Sequence, residues 1–323
     1  MFLFIQHRRG GERGNSMRNI EKYQGIIPAF YACYGEDGAI SVERTQAWAE
    51  YLLKKGVKGV YVCGSSGECI YQTVEERERT LEAVMEVVRG KMTVIAHTAC
   101  NNTAESCRLA AHAQRQGVDA VAAIPPIYFH LPDYAIARYW NDISAAAPET
   151  DFVIYNIPQL AGVALTLPLF RKMLENPRVA GVKNSSMPAV DIQIFKREGG
   201  EDFAVFNGPD EQLAAGLAMG ADGAIGGTYG VMIELYQKLF ALCRAGDYET
   251  ARKIQYDADA IIDAMCACRG NLYGVMKEII KRREGLDLGG VRKPLPALEE
   301  GDSKQVDTCI AMINQAIDTH CNA

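Results

Sequence analysis

Eight short apolar runs, evenly spaced between Ile26 and Gly227, constrain the fold of this chain more than any other feature. They read IIPAFYA (26–32), KGVYVCG (58–64), MTVIAHT (92–98), DAVAAIPP (119–126), DFVIYN (151–156), VAGVK (179–183), FAVFNG (203–208) and DGAIGG (222–227). They lack the polar alternation of a half-exposed strand, so each suits a strand covered on both faces, as in a parallel sheet. Amphipathic stretches of helical period lie between them. VERTQAWAEYLLKKG (42–56) puts Ala47, Tyr51 and Leu52 on one face and stops at Gly56. TVEERERTLEAVMEVVRG (73–90) opens on Thr73 with Glu76 three residues on, the spacing of a capping box. TAESCRLAAHAQRQG opens on Thr103 and ends on Gly117, and DEQLAAGLAMG opens on Asp210. Eight strand–helix units in about two hundred residues predict an α/β fold, a (β/α)8 TIM barrel rather than an open doubly wound sheet. No G-x-G-x-x-G follows the first strand, which counts against a dinucleotide-binding fold.

The barrel is expected over residues 17–230, and three further helical stretches predict a C-terminal helical extension over 231–323. Residues 1–16, MFLFIQHRRGGERGNS, read as a disordered arm or a start-site extension. Their charge lies on the wrong side of too short an apolar core for a signal peptide. With 48% hydrophobic and 23% charged residues among 323, the chain can bury a sizeable core without staples. A net charge of −6 argues against a general nucleic-acid binder. The apolar runs are broken well short of the roughly 18 residues a spanning helix needs, so no membrane partner is expected. The ten cysteines are scattered, and Cys266 and Cys268 are the only close pair. Reduced thiols in a cytoplasmic protein are expected, with no metal site.

A barrel's chemistry sits at the C-terminal ends of its strands. Those ends carry Gly64–Ser65–Ser66–Gly67–Glu68, Tyr128, Tyr155–Asn156, Lys183–Asn184–Ser185, Gly208–Pro209–Asp210–Glu211 and Gly226–Gly227–Thr228. Desolvation at a barrel mouth favours the neutral form of an amine, which attacks a ketone to form an imine. Lys183 is the candidate, and Tyr155, ending the neighbouring strand, is a candidate proton carrier. Spacing leaves the plainer alternative open: a lysine in a loop and a packed tyrosine. Ser65 and Ser66, flanked by glycines, suit a carboxylate, since oriented N–H groups form an anion-binding nest. Asp210 and Glu211 either cap the following helix or face a polyol. Thr228 with its glycines suits a phosphate, but no basic residue stands beside them. His97 and His130 are expected to be structural or at the surface.

Taken together, GSSGE (64–68), YNIP…G…LT (155–166), GVKNSS (181–186) and GPDE…GLAMGADGAIGGTYG (208–230) resemble the N-acetylneuraminate lyase and dihydrodipicolinate synthase family. The resemblance spans roughly residues 24–300. It implies a class I, pyruvate-dependent aldolase with no cofactor beyond a covalent imine, usually built as a homotetramer. Carried over by motif, it makes Lys183 the Schiff-base residue and Tyr155 the acid/base. Ser65 becomes the relay hydroxyl, and Ser66 lies at the keto-acid carboxylate. Tyr128 resembles the tyrosine lent to the neighbouring subunit's site.

Within that family the synthases usually carry an arginine for the second substrate's carboxylate in their Y-N-x-P-x-R-T-G string. Here YNIPQLAG has Leu160 in that place, and a leucine cannot hold a carboxylate. The wording looks more like the lyases, which implies sugar contacts from Ser185, Gly208, Asp210 and Glu211. The expected activity is cleavage of N-acetylneuraminate, or a related sialic acid, to pyruvate and an N-acetylhexosamine. The alternatives are the synthase, another 2-keto-acid aldolase or dehydratase, or a non-catalytic keto-acid or sugar-binding barrel. Gly227 and Pro209 stand where the lyases tend to carry a serine and a tyrosine, which leaves the identity of the sugar open.

Overall fold

A computed structural model describes residues 18–322; the arm expected over 1–16 lies outside them. The strands are β1 (Ile26–Pro28), β2 (Gly59–Val62), β3 (Thr93–His97), β4 (Ala120–Ala123), β5 (Asp151–Asn156), β6 (Val179–Asn184), β7 (Ala204–Asn207) and β8 (Gly223–Gly226). All pair in parallel, in the order β1-β8-β7-β6-β5-β4-β3-β2. The ring closes where Ala29 bridges Tyr61. There the Phe30 N–H donates to the Tyr61 carbonyl at 2.9 Å, and the Lys58 N–H to that of Ile26 at 3.0 Å.

Both faces of every strand are buried for different reasons. Ile27, Tyr61, Ile95, Ala122, Val153, Tyr155, Phe206 and Ile225 fill the barrel interior. Their alternates, among them Val60, Val62, Val94, Val121, Ile154, Val182 and Val205, pack outward into the layer under the helices. Period-two geometry inside a closed, covered sheet therefore demands apolar residues at every position. At the foot of the barrel Tyr23 is wholly buried, and its hydroxyl donates to Asp151 Oδ2 at 2.8 Å.

The helices are α1 (Val42–Lys54), α2 (Val74–Val88), α3 (Thr103–Gln116), α4 (Asp133–Ala146), α5 (Pro158–Ala161), α6 (Leu167–Met173), α7 (Val190–Gly199), α8 (Leu213–Ala218), α9 (Ile233–Arg244), α10 (Tyr248–Cys266), α11 (Leu272–Glu284) and α12 (Asp302–His320). The capping box at Thr73 and Glu76 forms in both directions, with the Glu76 N–H donating to Thr73 Oγ1 and the Thr73 N–H to Glu76 Oε2. Two helix starts differ from the sequence reading. Asn102 rather than Thr103 caps α3, because the Asn102 carboxamide oxygen reaches the N–H groups of both Ala104 and Glu105. Asp210 caps nothing: α8 begins at Leu213, and the Asp210 carboxylate turns to the end of β8 instead. The first run also gives a shorter strand than expected. Beyond Ala29 the chain leaves the sheet, and the Ala32 N–H donates to the Ser66 carbonyl.

The C-terminal helices brace the loop after β2. Lys277 of α11 and Glu68 form an ion pair of 2.7 Å, with both side chains almost fully buried. Glu68 Oε2 also accepts from the Arg292 N–H at 2.8 Å and from the Tyr34 hydroxyl at 3.3 Å. Each lone pair so used offsets part of the desolvation cost of the buried carboxylate.

Candidate functional site

The register of β5 against β6 sets Tyr155 opposite Lys183 and Asn156 opposite Asn184. Lys183 is 5% exposed, which places its amine inside the barrel mouth rather than in a loop. Its Nζ stands 4.0 Å from the centre of the Tyr155 ring and 4.4 Å from that of Tyr61. An aromatic wall of this kind attracts a cation and excludes water from around it. The two strand ends are locked by a buried amide relay. Asn156 Nδ2 donates to Asn184 Oδ1 at 2.7 Å, and Asn156 Oδ1 accepts from the Leu165 N–H at 2.9 Å. Asn184 Nδ2 in turn donates to Ser186 Oγ, whose hydroxyl lies 2.6 Å from Asp191 Oδ2.

Beside this pair runs the loop after β2. Cys63 and Glu68 bracket it in the left-handed region, at φ 59° and 52°. Such backbone costs of order 1–3 kcal/mol per residue and persists only where the surroundings impose it. Here the Glu68 ion pair holds one end, and the loop curls so that the Gly67 and Cys69 N–H groups both donate to the Gly64 carbonyl. Among the described residues, the Ser65 and Ser66 N–H groups donate to no acceptor in the chain. Two free amides and two hydroxyls in one turn are groups that can bind an anion.

The opposite side of the mouth is built by the ends of β7 and β8. Asp210 is buried, and its Oδ2 accepts from both the N–H and the hydroxyl of Thr228, each at 2.6 Å. Those bonds consume the groups that a phosphate would have needed. Asp210 Oδ1 has no partner among the described residues. A side chain at Gly226 would collide with that oxygen, which is why glycine stands there. Ser185 is buried, and its hydroxyl fills the space that a side chain on Gly208 would occupy. Gly227 faces Ser66 Oγ across the mouth. Glu211 is exposed and lies near α10, where its charge helps raise Asp259 to about 6, behind the larger effect of burial. Tyr128, also left-handed at φ 81°, is 85% exposed and packs its ring edge-on against Phe129. Leu160, on α5, is exposed and offers no charge to a second carboxylate.

The family model for the dihydrodipicolinate synthetase family matches residues 22–313. The chain belongs to that family. Within it, the N-acetylneuraminate lyase of Mediterraneibacter gnavus is 62% identical over 305 residues, which cover 94% of this chain and 97% of that protein. The N-acetylneuraminate lyase of Escherichia coli O1:K1 is 33% identical over 277 residues, covering 86% and 92%. A solved structure of the Ruminococcus gnavus sialic acid aldolase, a catalytic lysine mutant, superposes with a TM-score of 0.93 at 62% identity, over 94% of this chain and 100% of that one. The eight-stranded barrel with its helical C-terminal region is thus the architecture this family member shares with known aldolases.

Of the residues singled out from sequence, Lys183, Tyr155, Ser65, Ser66, Ser185, Gly208 and Asp210 all stand at the C-terminal ends of β2 and β5–β7. Glu211 points outward and Tyr128 lies on the surface of the single chain. Sequence reasoning did not single out Tyr61, and it expected His97 to be structural or at the surface, without a place beside Tyr155. Both are buried inside the barrel against Tyr155, where only the inward phase of β2 and β3 would have flagged them. His130 lies close to Gly162.

Burial pushes the Asp210 carboxyl up to about 7, against the pull of its Thr228 bonds. The unfolded carboxyl titrates near 4, so the native state holds the proton more tightly. That stabilisation is complete below about pH 4 and is lost as pH rises through about 7. Wild type should therefore lose a few kcal/mol relative to Asp210→Asn between those limits, at about 1.4 kcal/mol per unit. Melting temperatures of the two proteins compared from pH 4 to 8 check this; a constant difference would refute it.

Proposed function

We propose that this family member is a class I, pyruvate-dependent aldolase that cleaves N-acetylneuraminate, or a close sialic acid, to pyruvate and an N-acetylhexosamine. The observation that carries the reading is the pairing of Lys183 with Tyr155 on adjacent strands, inside a mouth that also holds the free amides of Ser65 and Ser66. The 62% identity to a sialic acid aldolase supports the choice of substrate.

In the proposed cycle the Lys183 amine adds to the keto carbon of the open-chain sugar acid and water leaves, giving a protonated imine. The Ser65–Ser66 loop holds the adjacent carboxylate. Tyr155, entering the step as its phenolate, takes the proton of the C4 hydroxyl, the C3–C4 bond breaks, and its electron pair moves into the imine to form an enamine. The aldehyde departs, Tyr155 returns a proton to C3, and water releases pyruvate from Lys183. The imine itself is the electron sink, so the cycle as written calls for no further cofactor. Ser185 and the backbone of Gly208 line the side where the sugar hydroxyls would lie, with Asp210 and the exposed Glu211 next along the chain as the further contacts that the resemblance implies. Tyr128, exposed in one chain, suits donation to a neighbouring subunit in a homotetramer. Among the described residues no helix is long and apolar enough to cross a membrane, and the ten free thiols are compatible with a cytoplasmic setting.

The test is borohydride reduction in the presence of pyruvate, with peptide mass mapping, alongside pyruvate release from N-acetylneuraminate. A reduced pyruvyl adduct on Lys183 together with release is the expected result. An adduct without release would move the reading to another 2-keto acid, and no adduct would leave a binding barrel.

A further inference from the structure

His97 ends β3 and is 3% exposed. Its imidazole is held on both nitrogens: Nδ1 lies 3.0 Å from the Cys63 carbonyl oxygen, and the Ile124 N–H points at Nε2 from 3.4 Å. A carbonyl only accepts and an amide N–H only donates, so Nδ1 carries the proton and Nε2 presents its lone pair. Protonating Nε2 would set two N–H groups against each other. Burial, with the nearby Arg77 and Lys183 cations, holds the ring's pKa well below the ordinary histidine range. The guanidinium of Arg77 also fixes the backbone here, donating to the His97 and Ala99 carbonyls at 2.6 and 2.8 Å.

What this clamped ring touches is the proton carrier. The His97 and Tyr155 rings meet edge-on, 6.0 Å apart at 87°. Tyr61 closes the triangle, 6.1 Å from His97 and 5.7 Å from Tyr155. Three rings from β2, β3 and β5 thus pack together, and two of them, Tyr61 and Tyr155, face the Lys183 amine. A phenol turns about two side-chain torsions, and in a small cluster of this kind a perpendicular neighbour defines its plane.

We propose that His97 is a positioning residue for Tyr155: clamped between the Cys63 carbonyl and the Ile124 amide, it sets the plane of the phenol that moves protons beside the imine. This rests on the aldolase reading above. It separates two steps that otherwise travel together. Imine formation needs Lys183 alone, whereas proton transfer at C3 needs Tyr155 correctly aimed.

The experiment reads both steps in one protein. Borohydride trapping with pyruvate reports the imine. Deuterium uptake into the pyruvate methyl group in D2O, followed by NMR, reports proton transfer at C3. His97→Asn keeps a donor toward the Cys63 carbonyl and removes the ring; His97→Phe keeps a ring and removes both hydrogen bonds. In His97→Asn, trapping should stay at the wild-type level. Exchange and kcat for cleavage should fall by about tenfold to a hundredfold, the usual cost of a misplaced group. His97→Phe should recover part of that loss. Trapping and exchange falling together in both variants would mark a merely structural residue and overturn the proposal, as would wild-type exchange in His97→Asn. Wild type that neither traps nor exchanges would overturn the aldolase reading itself, and this proposal with it.

Discussion

Lys183→Met should abolish turnover, lowering kcat by roughly a million-fold, the scale of loss when a covalent nucleophile is removed. The methionine side chain has nearly the length of lysine and suits the aromatic wall of Tyr61 and Tyr155, where the Nζ now lies 4.4 and 4.0 Å from the ring centres. The variant should therefore fold, and its failure should be chemical. Borohydride with pyruvate should leave it unmodified, while isothermal titration should still register the keto acid through the Ser65–Ser66 loop. Measurable pyruvate release from N-acetylneuraminate by this variant would dispose of the imine mechanism. Loss of ligand binding together with loss of fold would be visible in the melting curve, and Lys183→Ala would then repeat the test with a shorter side chain.

Tyr155→Phe carries the second largest expectation, a fall in kcat of about 10²- to 10⁴-fold, the usual contribution of a positioned acid or base. The ring stays, so the packing against His97 and Tyr61 and the wall beside Lys183 stay with it. Only the hydroxyl goes. Pyruvate should still be trapped on Lys183, because imine formation does not pass through the phenol's proton at C4. A variant that cleaves at the wild-type rate would remove Tyr155 from the mechanism. One that neither traps nor cleaves would make it part of imine formation instead.

These two residues could be found from sequence because the barrel makes its own grammar. Strands sealed on both faces must be apolar throughout, so a lysine or tyrosine at the end of such a run is conspicuous. The same rule hid His97 and Tyr61. Tyr61 reads as one more core aromatic in KGVYVCG, and His97 reads as the polar end of MTVIAHT. Asp210 was equally ambiguous, since an aspartate before a helical stretch has the look of a cap. Its true partner, Thr228, lies on the next strand end, and only closure of β7 against β8 brings the two together.

What the sequence determined by itself was local: the strands and helices, with their order. Parallel strands joined by helices then leave little choice of architecture, and the strand ends name the candidate nucleophile and proton carrier. What only the tertiary structure decided was long-range. The Glu68–Lys277 pair joins residues 209 positions apart, and it holds the Ser65–Ser66 loop from a helix beyond the last strand. The aromatic triangle draws one ring from each of three strands, and two of the rings face the lysine. No periodicity announces such partners, because hydrogen bonds and ring contacts act over a few ångströms of space whatever the distance along the chain.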